Sequence, residues 1–381
     1  MMSIQLFKRT SLAAILVFLF GCKQQYIPPV AKTNLGYLVV DGTILNGPDP
    51  TVINLSRTQN LTDSIYQQNP ETGAQVSLTG NSGSLFSLAD MGNGTYRIDQ
   101  LNLNAGEAYQ LKILTANGEQ YLSDTLSVKP DPPIDSVSWK FLPDRIQIYV
   151  NTHDPLNNTR YYRWDYSETW EYHSAYDPYL IYDNGTILNR NADQRVYTCW
   201  RTGLSNGLLL GSTANLSQDV IFEKPVTYIP LGDQKVSVEY SILVKQYALS
   251  RQAFEYWQSL QKSTEQTGSF FDPQPSQLSG NIHSTINPNE PVLGYIEISG
   301  EQQQRIFISN KELPSWPYRP PSLDCSQFVV PHDSADYYFQ RGFMPIDYTF
   351  PASIGFISST AYCADCTVQG GTNVKPAYWP F

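Results

Sequence analysis

The chain has 381 residues, with 25 Lys and Arg against 35 Asp and Glu for a net charge of −10, and it carries 26 tyrosines. Only 16% of residues are charged, well under the roughly 25% of an ordinary soluble domain, while 41% are hydrophobic and 13% aromatic, which excludes a disordered chain. The acidic balance excludes a phosphate-backbone binder, which concentrates Lys and Arg on one face, so no nucleic-acid partner is expected.

Residues 1–21 read as a secretory signal peptide, with Lys8 and Arg9 as the positive region and an apolar run over 12–20. That run is shorter than the roughly 20 apolar residues needed to span a bilayer. Leu19-Phe20-Gly21-Cys22 has the form of a lipobox: an aliphatic residue, a small residue before the cysteine, then the cysteine that is acylated and becomes the mature N-terminus. Phe20 departs from the small residue usual there, and a plain cleaved signal with an incidental Cys22 is the alternative. Acyl chains contribute about 0.8 kcal/mol per buried methylene, so two or three on Cys22 make a stable membrane anchor. No Asp follows Cys22, which favours the outer membrane over the inner one; which face carries the protein stays open. Cleavage removes Lys8 and Arg9 and leaves 23 basic against 35 acidic residues, a net charge of −12. Residues 22–35, with Pro28-Pro29 and no periodicity, form a short extended tether.

Over residues 36–129 short β-rich runs alternate with turn clusters about every ten residues, the pattern of a β-sandwich. The runs lie at 37–45, 51–56, 74–79, 85–88, 95–98, 109–115 and 119–128. Asn46-Gly47-Pro48, Gly80-Asn81-Ser82-Gly83, Gly92-Asn93-Gly94 and Asn117-Gly118 supply the positive-φ residues and fixed proline φ that turns require. The expected fold here is an immunoglobulin-like or transthyretin-like sandwich. Lys129-Pro130-Asp131-Pro132-Pro133 then stops strand pairing, because proline donates no N–H, and marks the domain boundary.

Residues 134–381 read as a larger β-rich domain with one prominent helix, so the whole chain is mainly β. Strands are expected at 134–141, 145–151, 292–299 and 305–309. In a further one at 160–170, Tyr162, Trp164 and Tyr166 share a face opposite Tyr161, Arg163 and Asp165. The alternation of Val236, Val238, Tyr240, Ile242 and Val244 with more polar neighbours predicts a half-buried strand. Ser250 as N-cap, Leu249 and Phe254 as a hydrophobic staple, and Phe254, Trp257 and Leu260 at helical spacing predict a helix near 250–266 ended by Gly268.

Beyond Cys22 the cysteines are Cys199, Cys325, Cys363 and Cys366. An even number in an oxidising compartment predicts two disulfides, with three connectivities that spacing does not separate. Cys363-Ala-Asp-Cys366 also has the spacing of a redox pair, but a turn-like Gly370-Gly371 segment follows rather than a helix; a zinc site would need a second such knuckle. No metal ligand set and no cofactor is expected.

The ordered blocks Leu38-Val39-Val40-Asp41-Gly42, Tyr161-Tyr162-Arg163-Trp164, Glu168-Thr169-Trp170-Glu171, Cys199-Trp200 and Pro291-Val292-Leu293-Gly294-Tyr295, with the ending Cys363-Ala364-Asp365-Cys366 through Gly370-Gly371-Thr372-Asn373 to Trp379, resemble the lipoprotein family catalogued as domain of unknown function 4249. The resemblance implies an outer-membrane lipoprotein typically encoded beside a TonB-dependent receptor, and hence an accessory or ligand-binding subunit of an import complex. That implication is an association, and the family carries no catalytic residues to transfer.

The four histidines, His153, His173, His283 and His332, share no motif, and no phosphate loop or nucleophile elbow occurs. Glu168 and Glu171 are near enough in sequence to be an acid/base pair of a glycan- or peptide-processing hydrolase, which is the alternative function; an adhesive or structural role is a third. The aromatic crowding over 161–182, interleaved with carboxylates, suits sugar stacking or a protein interface. The segment 171–182 is accordingly expected to be an exposed recognition loop, with Trp170, Tyr172, Tyr176, Tyr179 and Tyr182 as its candidate contacts to a glycan or peptide.

Overall fold

The computed structural model describes residues 36–59, 69–265, 280–317 and 325–380. Cys22, the signal and tether, and the helix stop at Gly268 lie outside the described residues. The protein is mainly β, with several sheets.

The expected N-terminal runs appear as β1 (Leu38–Leu45), β2 (Thr51–Arg57), β3 (Gln75–Gly80), β4 (Leu85–Asp90), β5 (Thr95–Ile98), β6 (Ala108–Leu114), β7 (Gln120–Ser123) and β8 (Leu126–Lys129). The single run expected at 119–128 is thus split at Asp124 and Thr125. β1 pairs antiparallel with β2 (Val40 opposite Leu55), β2 with β5 (Ile53 opposite Tyr96), and β3 with β6 (Leu78 opposite Leu111). One later segment, Ile298–Ser299, lies parallel between β1 and β8, and β8 returns to β6. The result is a closed eight-stranded barrel, an arrangement that leaves none of its member strands as an open edge. This connectivity does not establish an immunoglobulin-like or transthyretin-like sandwich. The period-two pattern of β1 puts Leu38, Val40 and Ile44 inside, against Ile53, Leu55, Leu78, Tyr96 and Ile298. Gly94 turns into β5 at a φ of +74°, where a Cβ would lie 2.3 Å from the Leu55 carbonyl oxygen, so only glycine passes there.

Past the prolines come β9 (Ile134–Leu142), β10 (Arg145–His153), β11 (Tyr161–His173), β12 (Leu180–Asp183), β13 (Thr186–Asn189), β14 (Thr198–Leu204), β15 (Leu209–Ser212), β16 (Val220–Pro230) and β17 (Glu239–Ala248). β18 (Ile282–Ser284) pairs with β7 of the barrel, Ile298–Ser299 is β19, and β20 (Gln302–Ser309) pairs with β17. The three-stranded sheet β16-β10-β9 packs on the sheet β14-β11-β17-β20, to which β15 adds along the start of β11. Between them lie Ile146, Ile148, Val150 and Ile229 from the first sheet and Tyr162, Trp164, Tyr240, Ile242, Val244 and Ile308 from the second. The buried Trp164 indole donates to Gln246 Oε1 at 2.9 Å, and Tyr162 donates to Asp219 at 2.7 Å, so the polar tips of these core rings are satisfied.

Two expectations change here. Val236 sits in a 3-10 turn before β17, and β17 itself is buried on both faces, not one. It is an inner strand between β11 and β20, and its second face is covered at Ser241 by Arg305 and at Tyr247 by the Arg163 guanidinium.

The expected helix is α1 (Arg251–Glu265), and Ser250 Oγ accepts the Ala253 amide at 3.1 Å as its cap. Phe254 packs on Tyr161 and Trp257 lies under Arg163, so α1 covers the first half of the outer face of β11. The last part of the chain forms the sheet β21 (Phe328–Pro331), β23 (Gly355–Thr360), β22 (Phe343–Tyr348), with α2 (Ala335–Phe339) and α3 (Ala361–Ala364). Its small core of Val330, Ala335, Phe339 and Phe356 also takes Leu180 from β12.

Candidate functional site

The aromatic segment singled out by composition begins on β11. Strand geometry sends Tyr162, Trp164, Glu168, Trp170 and Tyr172 to one face and Tyr161, Arg163, Thr169, Glu171 and His173 to the other. The alternation runs on to His173 without a break, so Trp170 and Tyr172 are buried at 8% and 1% exposure in the core between the sheets. They are not members of an exposed loop. Burial also pushes the Tyr172 phenol above its ordinary value.

The segment after β11 is a seam. The Tyr176 amide donates to the Cys363 carbonyl at 3.1 Å, its hydroxyl donates to the Cys325 carbonyl, and the Tyr179 amide donates to Ile346 at 2.8 Å. Tyr182 donates to Asp336 at 2.8 Å and packs against Phe339. Of the five expected recognition residues only Tyr179 is exposed, and the Arg195 guanidinium lies 4.6 Å from its ring centre. The expectation of an open loop is corrected because the C-terminal sheet supplies backbone partners that sequence does not announce.

The four cysteines form Cys199–Cys366 and Cys325–Cys363, so the two cysteines of the Cys-x-x-Cys spacing are bonded elsewhere and not to each other. The first bond ties the C-terminal part to β14, and the second lies within the C-terminal part itself. From Cys366 the chain runs along the outer edge of β14, where Trp200 and Thr372 exchange backbone hydrogen bonds of 2.8 and 2.9 Å, before it turns onto the sheet's outer face. A Cβ on Gly371 would lie 2.3 Å from the Tyr172 hydroxyl, so the crossing is close. At its end Tyr378 meets Thr169 at 2.8 Å, and the Trp379 indole donates to Glu171 at 3.0 Å and packs edge-on against Phe307. β11 therefore carries aromatic residues on both faces because both faces are covered.

Where the tail, β14 and the loop before β14 meet, there is a cleft of about 540 Å³ lined by Asp177, Asp193, Arg195, Tyr197, Trp200 and Asn373, among others. Arg195 pairs with Asp177 at 3.0 Å, and Asn373 donates to the Arg195 carbonyl at 3.0 Å. Tyr197 stacks on His173 with ring centres 4.4 Å apart. The Asn191 side chain and Gln194 cap each other at 3.0 and 3.1 Å, which fixes the turn that aims Arg195. Beneath it Arg190 donates to the carbonyls of Leu180 and Gln194 at 2.9 and 2.7 Å, and burial holds its guanidinium below its ordinary value. The buried Trp200 indole N–H has no hydrogen-bond partner among the described residues. The cleft so offers an aromatic wall, two carboxylates, a guanidinium and an amide, the set that holds a hydroxyl-rich or peptide-like ligand. Arg195 and Tyr197 were not singled out from sequence; Asn373 entered only within the Gly370-Gly371-Thr372-Asn373 block, and the Cys199-Trp200 block was the signal that pointed to this strand.

Glu168 and Glu171 stand on opposite faces of β11. Glu168 accepts from Lys235 at 2.6 Å and from Tyr240 at 2.9 Å, and Glu171 accepts from Trp379, so the two do not face one cleft. The histidines are scattered: His153 on Asp135, His173 near Glu171, His283 on Asp124 and His332 on the Ala352 carbonyl. Among the described residues no group of three or more His, Cys, Asp or Glu is placed to hold a metal ion, and no helix is long and apolar enough to cross a membrane.

The sequence model of the family described as Domain of unknown function (DUF4249) matches residues 23–305. No curated protein matches. Among solved structures, chitinase ChiA74 from Bacillus thuringiensis is similar at 11% identity over 53% of this chain, which spans 30% of that chain; its TM-score of 0.15 carries no argument about fold or activity.

Proposed function

The chain belongs to the family described as Domain of unknown function (DUF4249), and from that premise we propose that it is a non-catalytic lipoprotein of the outer membrane, an accessory or ligand-binding subunit of a TonB-dependent import complex. The observation that carries the binding reading is the cleft beside Trp200, whose lining combines aromatic rings with carboxylate, guanidinium and amide groups. Such a lining recognises a glycan or a peptide by stacking and hydrogen bonds. Membrane attachment rests on the lipobox at Cys22, and the receptor partnership on the family resemblance. The hydrolase reading loses its residues, since a glycosidase pair must flank one cleft at roughly 5–9.5 Å and Glu168 and Glu171 project from opposite faces.

Fractionation tests the anchor. The wild-type protein is expected in the outer-membrane fraction and a Cys22→Ala variant in the soluble fraction. A wild-type protein that is soluble, or a variant that stays with the membrane, contradicts it.

A further inference from the structure

The turn between β22 and β23 presents Phe350, Pro351, Ala352, Ser353 and Ile354 to solvent, with Phe350 fully exposed at 101% and Ile354 at 53%. Loop tips that do nothing are usually polar, because an exposed phenylalanine ring gains nothing from water. This one is also fixed. The buried Thr349 hydroxyl contacts the carbonyls of Pro351 and Gly355 at 2.9 and 3.0 Å and accepts the Gly355 amide at 3.1 Å. His332 donates from Nε2 to the Ala352 carbonyl at 2.8 Å. Gly355 sits at a φ of +151°, where a Cβ would lie 2.1 Å from the Val330 carbonyl oxygen, so the turn is seated on β21. Val329 and Pro331, exposed on β21, extend the apolar surface from the same sheet, and the Cys325–Cys363 bond brackets β21, β22 and β23.

The surroundings are acidic. Asp333 and Asp347 are exposed beside the turn, and Asp336 follows on α2. We propose that this Phe350 platform is the docking surface for a partner protein that offers an apolar socket with a basic rim. An exposed aromatic on a pre-ordered turn, once buried in a partner's socket, is the kind of residue that dominates a protein interface, because little freedom is lost when it inserts. The carboxylates choose the occupant: they repel an anionic lipid surface, and they repel a second copy of this chain, which would set aspartate against aspartate.

The inference goes beyond the binding reading above and does not depend on which envelope protein is the partner. The test places a photo-cross-linking amino acid at position 354 of the full chain in the producing cells, with position 286, whose isoleucine is 69% exposed on a separate turn, as control. The expected result is an adduct to one protein from 354 and not from 286, mapped to an apolar peptide flanked by Lys or Arg. Its yield is expected to fall at least tenfold with Phe350→Ala or with Asp333→Lys and Asp347→Lys together, at an unchanged melting temperature. Adducts to lipid, to a second copy, to an acid-flanked peptide or to nothing overturn it. If 354 captures a protein while no receptor co-purifies, this inference stands and the receptor partnership fails; if a receptor co-purifies while 354 captures no protein, the reverse holds.

Discussion

Cys199 on β14 is bonded to Cys366 across 167 residues, and because Cys199 lies opposite the buried Tyr172, the bond sits on the core face, just before the chain pairs along β14. The other bond, Cys325–Cys363, closes only 38 residues. In the chain-entropy account the longer loop contributes about 1 kcal/mol more than the shorter, about 5 against about 4 kcal/mol. Replacing Cys199 and Cys366 by serine is therefore expected to lower the urea midpoint more than replacing Cys325 and Cys363. It is also expected to raise hydrogen exchange over residues 366–379, read by mass spectrometry.

Glu168 supplies a second test, because its carboxylate is buried and held by Lys235 and Tyr240. Burial beside that carboxylate pushes the Tyr240 phenol well up. Lys235→Met leaves a buried charge without its counter-ion and is expected to cost about 2 kcal/mol, less than a fully buried pair because Lys235 is partly exposed. Glu168→Gln added to Lys235→Met is expected to restore part of that loss in urea denaturation. An additive double variant contradicts the pairing.

Stability is expected to fall as pH rises. Burial pushes the Asp131 carboxyl up to about 7 from 3.8 and the Glu297 carboxyl up to about 7 from 4.5. Asp131 accepts from Ala248 and Ser299 at 2.8 and 3.2 Å and Glu297 from Ser250 at 2.5 Å, while the second oxygen of each lacks a hydrogen-bond partner among the described residues. Below about pH 7 both acids are neutral in the fold, so between about pH 4 and 7 the folded state binds protons that the unfolded state has released. Their contribution is full below about pH 4 and is lost as pH rises through about 7. The melting temperature is expected to drop between pH 5 and pH 8, and Asp131→Asn with Glu297→Gln is expected to flatten that drop. A wild-type profile flat across this window contradicts the assignment.

At the cleft, Tyr197→Ala and Arg195→Ala are expected to weaken ligand binding by at least tenfold without a large change in melting temperature, since both side chains are only half-buried. Trp170→Ala and Tyr172→Ala remove core rings and are expected to destabilise by about 3–5 kcal/mol. Titration calorimetry and thermal melts on the same preparations separate the two effects.

The strands and α1 were legible because their signals are local: alternation along β1, the glycine at each turn, the Ser250 cap before Phe254 and Trp257. The closing strand of the barrel falls within the run expected at 292–299, but only Ile298 and Ser299 form it, and so short a strand does not announce its parallel place between β1 and β8. Trp170 and Tyr172 were assigned to the surface because rings occupy both parities of β11. Sequence does not reveal that α1 covers one half of the outer face and residues 372–379 the other. The disulfide connectivity and the groups that meet around Trp200 are set by that same crossing, a contact between segments more than 160 residues apart.

The central claim is that the protein works as a lipid-anchored subunit of an import complex, and affinity purification of the tagged full chain from mildly solubilised outer membranes tests it most directly. The account predicts a TonB-dependent receptor recovered at close to one copy per copy of this chain. Repeated preparations that retain acylated Cys22 and lack any such receptor would contradict it.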